Sequence, residues 1–84
     1  MPRYYFNIVR GGTVISDPDG DALHGDVEAI EHASMVAREM IEWRHFYRGQ
    51  HVERWAFEIT DGAGRRVATV RFADLPKSKS GKGL

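Results

Sequence analysis

The chain has 84 residues and a formal net charge of zero, because twelve Lys and Arg balance twelve Asp and Glu. This length allows one domain, and a hydrophobic fraction of 42% is typical of a globular chain rather than a disordered one. The absence of cysteine excludes disulfides, thiolate catalysis and cysteine-ligated metals. No apolar run of about 18 residues indicates a transmembrane helix, and Met1-Pro2-Arg3-Tyr4 lacks the apolar core of a signal peptide. We therefore expect a small cytoplasmic protein with no membrane contact.

The balanced charge conceals two unlike regions. All three lysines lie in residues 76–84, a stretch rich in serine, glycine and lysine that predicts a flexible basic tail. Residues 1–75 carry nine arginines against twelve acids, a net charge of −3, and no internal linker divides them. The sequence therefore predicts one domain over residues 1–75.

Two strands and a tight turn are predicted at the N-terminus. Residues 3–9 alternate in hydrophobicity, and Gly11-Gly12 is a hairpin signal because glycine accepts the positive φ of primed turns. The returning strand spans residues 13–16. Asp17-Pro18-Asp19-Gly20 then has the composition of a type I turn, which ends the hairpin.

One long helix is predicted from residue 27 to about residue 48. Asp26 has the side chain of an N-cap, and Gly49 is suited to the position that follows the helix. A wide apolar arc runs along this segment, with glutamates on the opposite arc. One face of the helix is therefore expected to pack against a sheet.

A second hairpin follows the helix, with strands at residues 55–60 and 67–72 around an Asp61–Gly64 turn. The order β-β-α-β-β predicts an α+β two-layer sandwich, an antiparallel sheet with one long helix on one face. The predicted core comprises Phe6, Ile8, Ile30, Ala33, Ala37, Met40, Ile41, Phe57, Ile59, Val70 and Phe72.

Several short motifs occur together in a fixed order. They are Arg3-Tyr4-Tyr5-Phe6, Asp17-x-x-Gly20, an alanine-rich helix after Asp26, Glu58-Ile59-x-Asp61-x-x-Gly64 and a closing Phe72-Ala73-Asp74. In this order the chain resembles a family of short bacterial domains of uncharacterised function, over roughly residues 2–75. The resemblance implies a compact stand-alone domain and carries no activity or residue roles. A looser similarity is to antitoxin-type domains, although these lack a complete hairpin after the helix.

An acidic stretch offers a calcium-binding alternative. Asp17, Asp19, Asp21 and Glu28 occupy positions 1, 3, 5 and 12 of a calcium-loop count. Ala22 stands at the sixth position, where a calcium loop requires glycine. A proline-containing turn followed by a helix explains the same residues, so our prediction is that the protein holds no metal.

The motifs of common enzyme classes do not occur in this sequence. It contains no nucleophile elbow, no P-loop and no dinucleotide-binding glycine pattern at a strand–helix junction. The expectation is a protein that is not an enzyme and has no cofactor.

Nucleic-acid binding is one candidate function. The sheet face without a helix would carry Tyr5 and Arg71, an aromatic and a guanidinium suited to stacking on bases, and Arg65 and Arg66 at the second turn would meet phosphate. The net negative charge of residues 1–75 disfavours this reading, because phosphate contacts supply most non-specific affinity.

Protein–protein association, with another copy or with another protein, is the preferred prediction. Apolar side chains on an uncovered sheet face are unfavourable in water, and a partner molecule would cover them. Aromatic side chains outside the core are also typical of protein interfaces. The candidate interface residues are Tyr5, Val9, Met35, Trp43, Phe46 and Val67. For Trp43 and Phe46 the alternative is packing beneath the loop that leads to the third predicted strand.

Overall fold

A computed structural model describes residues 1–75, so the predicted basic tail lies outside the described residues. The elements are β1 (Arg3–Arg10), β2 (Thr13–Ile15), β3 (Asp21–Ala22), α1 (Asp26–Glu42), β4 (Ala56–Asp61) and β5 (Arg66–Arg71). Single 3-10 turns are formed by Arg44–Phe46, Val52–Arg54 and Phe72–Asp74. The α+β class is confirmed.

The strands form one antiparallel sheet in the order β2-β1-β4-β5, with β1 and β4 at its centre. The two-residue strand β3 also pairs with β1, where Arg3 faces Ala22 and Tyr4 faces Asp21. This strand was not predicted, because two residues are too few to show an alternating pattern. The observed order is thus β-β-β-α-β-β.

The edge of the sheet beside β1 is interrupted between β2 and β3, and side chains complete the hydrogen bonding there. The Phe6 backbone N–H donates to Asp17 Oδ2 at 3.1 Å, and the Asp17 N–H donates to Asn7 Oδ1 at 2.9 Å. Asp17 Oδ1 accepts N–H groups from Asp19 and Gly20 at 3.2 and 3.1 Å. These bonds hold the predicted turn against β1 after the paired strand β2 has ended at Ile15.

Helix α1 contacts the sheet through a stripe of three alanines. Ala29, Ala33 and Ala37 are each 0% exposed. Their small side chains let the helix lie close to the sheet. Ile30, predicted to be in the core, is 37% exposed, because the helix turns its alanine stripe inward and leaves Ile30 at the margin. The buried cluster comprises Tyr4, Phe6, Ala29, Ala33, Ala37, Val52, Trp55, Phe57, Ile59, Val70 and Phe72.

The predicted helix end at residue 48 is wrong, because α1 stops at Glu42. Trp43 leaves helical geometry, and the 3-10 turn Arg44–Phe46 follows. Tyr47 then packs against the buried cluster, with its ring edge-on to Trp55 at a centroid distance of 5.7 Å. A continued α-helix would carry the chain away from this contact, so packing overrides the helical pattern after residue 42.

The predicted role of Asp26 as N-cap is also wrong. Gly25 occupies the N-cap position without a side-chain bond, and Asp26 is the first helical residue. Glu28 Oε1 instead accepts the His24 backbone N–H at 2.9 Å, which satisfies a donor just before the helix.

The turn at Gly20 provides a stability test. Gly20 has φ +69°, and a Cβ there would lie 2.7 Å from the Tyr4 carbonyl oxygen. Gly64 has φ +84°, and a Cβ at that position would meet no atom within 4 Å. We expect Gly64→Ala to cost about 1 kcal/mol of unfolding free energy from backbone conformation alone. Gly20→Ala should cost clearly more, because backbone must also move.

Urea denaturation of the two variants measures this difference. Equal losses of unfolding free energy in the two variants would contradict the close approach between Gly20 and β1.

Candidate functional site

The sheet face opposite α1, called here the open face, is covered by no element among residues 1–75. Cross-strand pairs place Tyr5 beside Thr60 and Asn7 beside Glu58 on this face. Asn7 Nδ2 donates to the Glu58 carbonyl oxygen at 3.2 Å, and Arg66 Nη2 lies 2.9 Å from Glu58 Oε2. Its centre is therefore a polar network that is satisfied within the domain.

The predicted interface residues of the sheet do not form one patch. Tyr5 and Val9 lie half-buried on the open face, and the polar side chain of Asn7 lies between them along β1. Val67, predicted on the same face, lies at a β-bulge and packs against the buried cluster. The bulge adds one residue to β5. It therefore breaks the alternation of side chains from which Val67 was predicted to lie on the open face.

Ion pairs engage the three arginines predicted to contact nucleic acid. Arg66 pairs with Glu58, and Arg71 Nε lies 3.7 Å from Asp74 Oδ2. Arg65 Nη2 lies 3.2 Å from Asp26 Oδ2, and its Nε lies 3.0 Å from an Asp61 oxygen. A phosphate would have to compete with a carboxylate at each position.

Arg65 belongs to a network that joins the helix start to the sheet. The buried Tyr4 hydroxyl donates to Asp26 Oδ1 at 2.8 Å. This bond and the Arg65 guanidinium hold the pKa of Asp26 below its ordinary value. The pKa of Asp61 is lowered chiefly by the Arg65 backbone N–H, which donates to its carboxylate at 2.9 Å.

The acidic residues of the calcium alternative have other contacts. Burial raises the pKa of Asp17, but backbone N–H donors from Gly20, Phe6 and Asp19 outweigh it, and the net pKa is lowered. The carboxylate oxygen Oδ2 of Asp21 lies 3.6 Å from Nε2 of His32. Among the described residues, no three His, Asp or Glu side chains come together as a metal ligand set.

Trp43, His45 and Phe46 form an exposed group, called here the aromatic cluster. The rings of Trp43 and Phe46 stack, with their centroids 5.5 Å apart and their planes at 17° to one another. The ring centroid of His45 lies 4.3 Å from that of Phe46. Trp43 is 55% exposed and Phe46 68% exposed. The alternative prediction, that Trp43 and Phe46 pack beneath the loop to the third predicted strand, is therefore wrong. Met35, also exposed, lies two turns earlier on the outward side of α1.

Charges of opposite sign flank the aromatic cluster. Glu39 and Glu42 precede it on α1, and Arg44 and Arg48 lie within or just after it, all four exposed. Arg44 Nη1 donates to the Ile41 carbonyl oxygen at 3.0 Å, which holds this side chain over the last helical turn. Within residues 1–75 none of the four has an oppositely charged partner within 4.0 Å.

A second feature, called here the basic groove, lies where the β1–β2 turn meets residues 50–55. It is an open cavity of about 360 Å³. Its lining residues are Arg10, Gly11, Gln50, His51, Arg54 and Trp55. The sequence reasoning missed these residues, because Arg10 and Gln50 are 40 positions apart and no motif links them.

Comparison with known protein families matches residues 3–73 to one family model, described as a domain of unknown function, DUF6894. The chain belongs to the DUF6894 family. The predicted resemblance to a short uncharacterised domain family is thus confirmed over nearly the whole described region. No curated protein and no solved structure matches the chain.

Membership in DUF6894 supplies no activity. No helix within residues 1–75 is both long and apolar enough to cross a bilayer.

The Tyr4–Asp26 bond predicts a specific pH effect. The pKa values of Asp26 and Asp61 are lowered by folding, so their contribution to stability is complete above the unfolded value of about 3.9. It is lost as the pH falls through the lower folded pKa values. Tyr4→Phe should raise the pKa of Asp26 toward its ordinary value.

Carboxyl carbon NMR titration of Asp26 measures this pKa in the two proteins. Tyr5→Phe is the matched control, because Tyr5 has no bond to Asp26. An unchanged Asp26 pKa in Tyr4→Phe would contradict the bond.

Proposed function

We propose that this DUF6894 domain is a non-catalytic protein-binding module that associates with a second copy of itself through the aromatic cluster. The observation that carries the proposal is the exposed, stacked pair Trp43 and Phe46. Large aromatics and arginine are the residue types enriched in the energetic centres of protein interfaces.

The charges around the cluster favour a second copy as the partner. A two-fold contact brings the same patch of both molecules together in opposite orientations. Along the chain, the carboxylates of Glu39 and Glu42 precede the rings, and the guanidiniums of Arg44 and Arg48 lie beside or after them. In the proposed dimer the rings meet at a two-fold axis, and the acids of one copy lie against the bases of the other.

The contacts of the open face support the same choice. Its centre is occupied by the Asn7–Glu58 bond and the Glu58–Arg66 ion pair, so docking there would have to displace bonds already made. At the aromatic cluster a partner instead removes apolar ring surface from water, which is favourable.

Truncation of the aromatic rings is the first test. Trp43→Ala and Phe46→Ala should each weaken self-association by about 2 kcal/mol, the scale of an interface hot spot. Because both side chains are exposed, we expect little change in melting temperature. Sedimentation velocity over a concentration series measures the association.

Val27→Ala is the matched control. Val27 is 71% exposed and lies at the other end of α1, about 24 Å from Trp43 by helix rise. It should leave association unchanged. A wild-type protein that stays monomeric at about 100 µM would contradict the proposal.

Charge reversal tests the orientation of the two copies. Glu42→Arg and Arg44→Glu should each weaken association, because each sets like charges against one another across the axis. The double variant, which exchanges the two signs, should restore most of it. Each effect should be about 1 kcal/mol or less, since these charges are solvent-exposed.

Sedimentation at low ionic strength resolves such differences best, because salt screens exposed charges. Equal association of both single variants and the wild type would reject the proposed orientation while leaving the aromatic contact to be judged by the ring truncations.

A further inference from the structure

The basic groove has a preformed wall built around Gln50. The Gln50 carbonyl oxygen accepts the Trp55 indole N–H at 3.1 Å, and Gln50 Oε1 accepts Arg10 Nη1 at 3.1 Å. The Gln50 backbone N–H donates to the Tyr47 carbonyl oxygen at 3.0 Å. Three hydrogen bonds thus fix this one residue between the core and the groove.

Arg10 is held in place by a second contact as well. Its guanidinium carbon lies 5.3 Å from the centroid of the Trp55 ring, which is itself in the buried cluster. The cation–π contact and the Gln50 bond leave the remaining N–H donors of Arg10 available. The side chain has therefore lost much of its rotamer freedom before any ligand arrives.

The positive charges of the groove are not neutralised by carboxylates of the domain. Within residues 1–75, neither Arg10 nor Arg54 has a carboxylate within 4.0 Å. The nearby acid is Glu53, whose Oε2 lies 3.7 Å from His51 Nδ1. Two guanidiniums thus line the cavity without a carboxylate partner among the described residues. Three of the seven other arginines of residues 1–75, Arg65, Arg66 and Arg71, are paired with carboxylates.

The backbone at His51 has an unusual conformation. His51 has φ +50°, the one positive φ among the described residues other than glycine. This conformation brings residues 50–55 back toward the β1–β2 turn, so that His51 and Arg54 line the same cavity as Arg10. Uncommon backbone geometry of this kind is concentrated at ligand sites.

We propose that the basic groove binds a small oxyanion with two or more negative charges, a phosphate or a dicarboxylate, between Arg10 and Arg54. Guanidinium forks match the paired oxygens of both chemical groups. The cavity of about 360 Å³ is at the lower end of the range for small-molecule sites. This site goes beyond self-association and uses no residue of the aromatic cluster.

The experiment is an NMR titration of the full chain at constant ionic strength, with inorganic pyrophosphate in one arm and succinate in the other. Saturating shifts are expected at the Gly11 and His51 amides and at the Trp55 indole N–H. Saturation by pyrophosphate alone identifies a phosphate ligand, saturation by succinate alone identifies a dicarboxylate, and saturation by both supports the shared oxyanion chemistry.

Arg54→Gln should raise the dissociation constant about tenfold or more, the loss of one charge-assisted contact. Arg54 is exposed and makes no side-chain bond within the described domain, so this variant should fold normally. Arg10→Gln should have the same effect, with the added loss of the Trp55 contact. Arg38→Gln, an exposed arginine on α1, is the matched control and should bind as the wild type does.

Two results would overturn the proposal. One is the absence of saturation by either anion below about 10 mM. The other is equal binding by the Arg54 and Arg38 variants, which would indicate general attraction of anions to a positive surface. Because Trp43 and Phe46 lie outside the groove, the Phe46→Ala variant should retain anion binding, which separates this test from that of self-association.

Discussion

The close approach of α1 to one face of the sheet is the contact on which the other features of the domain rest. Three alanines with no exposed surface line that contact, so the volume of the core comes mainly from the sheet side. Phe57 lies at its centre, with its ring 6.3 Å from Phe6 and 5.4 Å from Phe72. Since a single helix covers a single face, the opposite face must be compatible with water. The Asn7–Glu58–Arg66 network makes it so.

The same contact determines where the two candidate surfaces arise. Helix α1 ends at Glu42, and the chain then folds back so that Tyr47 and Trp55 seal the end of the core. This return leaves Trp43 and Phe46 on the outside of the bend, stacked on each other. On the inside of the bend, Gln50 joins the core residue Trp55 to Arg10 of β1. The one segment from residue 43 to residue 55 thus supplies both the exposed aromatic rings and most of the lining of the basic groove.

The candidate sites were only partly predictable from the residues. Phe46 was predicted at an interface because it lies off the main apolar arc of the helix, and Trp43 because it lies at the border of that arc; the structure leaves both exposed. Arg65 and Arg66 were chosen for their charge, but two of their carboxylate partners, Asp26 of α1 and Glu58 of β4, lie outside the turn and are not apparent from it. The basic groove was not anticipated, because its arginines lie on segments that approach one another only after folding.

The order of residues along the chain was enough to define the α+β class, the two hairpins, the turn at Asp17-Pro18-Asp19-Gly20 and the presence of the helix. These follow from periodicity and turn chemistry, which are properties of neighbouring residues. The strand order, the end of α1 at Glu42 and the pairing of β3 with β1 were set by the folded structure. Each of these depends on contacts between distant segments, whose energies exceed local propensity where the two conflict. The sequence alone divided the zero net charge into residues 1–75, with a charge of −3, and a lysine-containing tail. Only the folded structure shows that Arg65, Arg66 and Arg71 are paired with carboxylates while Arg10 and Arg54, within residues 1–75, are not, because folding determines which carboxylates lie near each guanidinium.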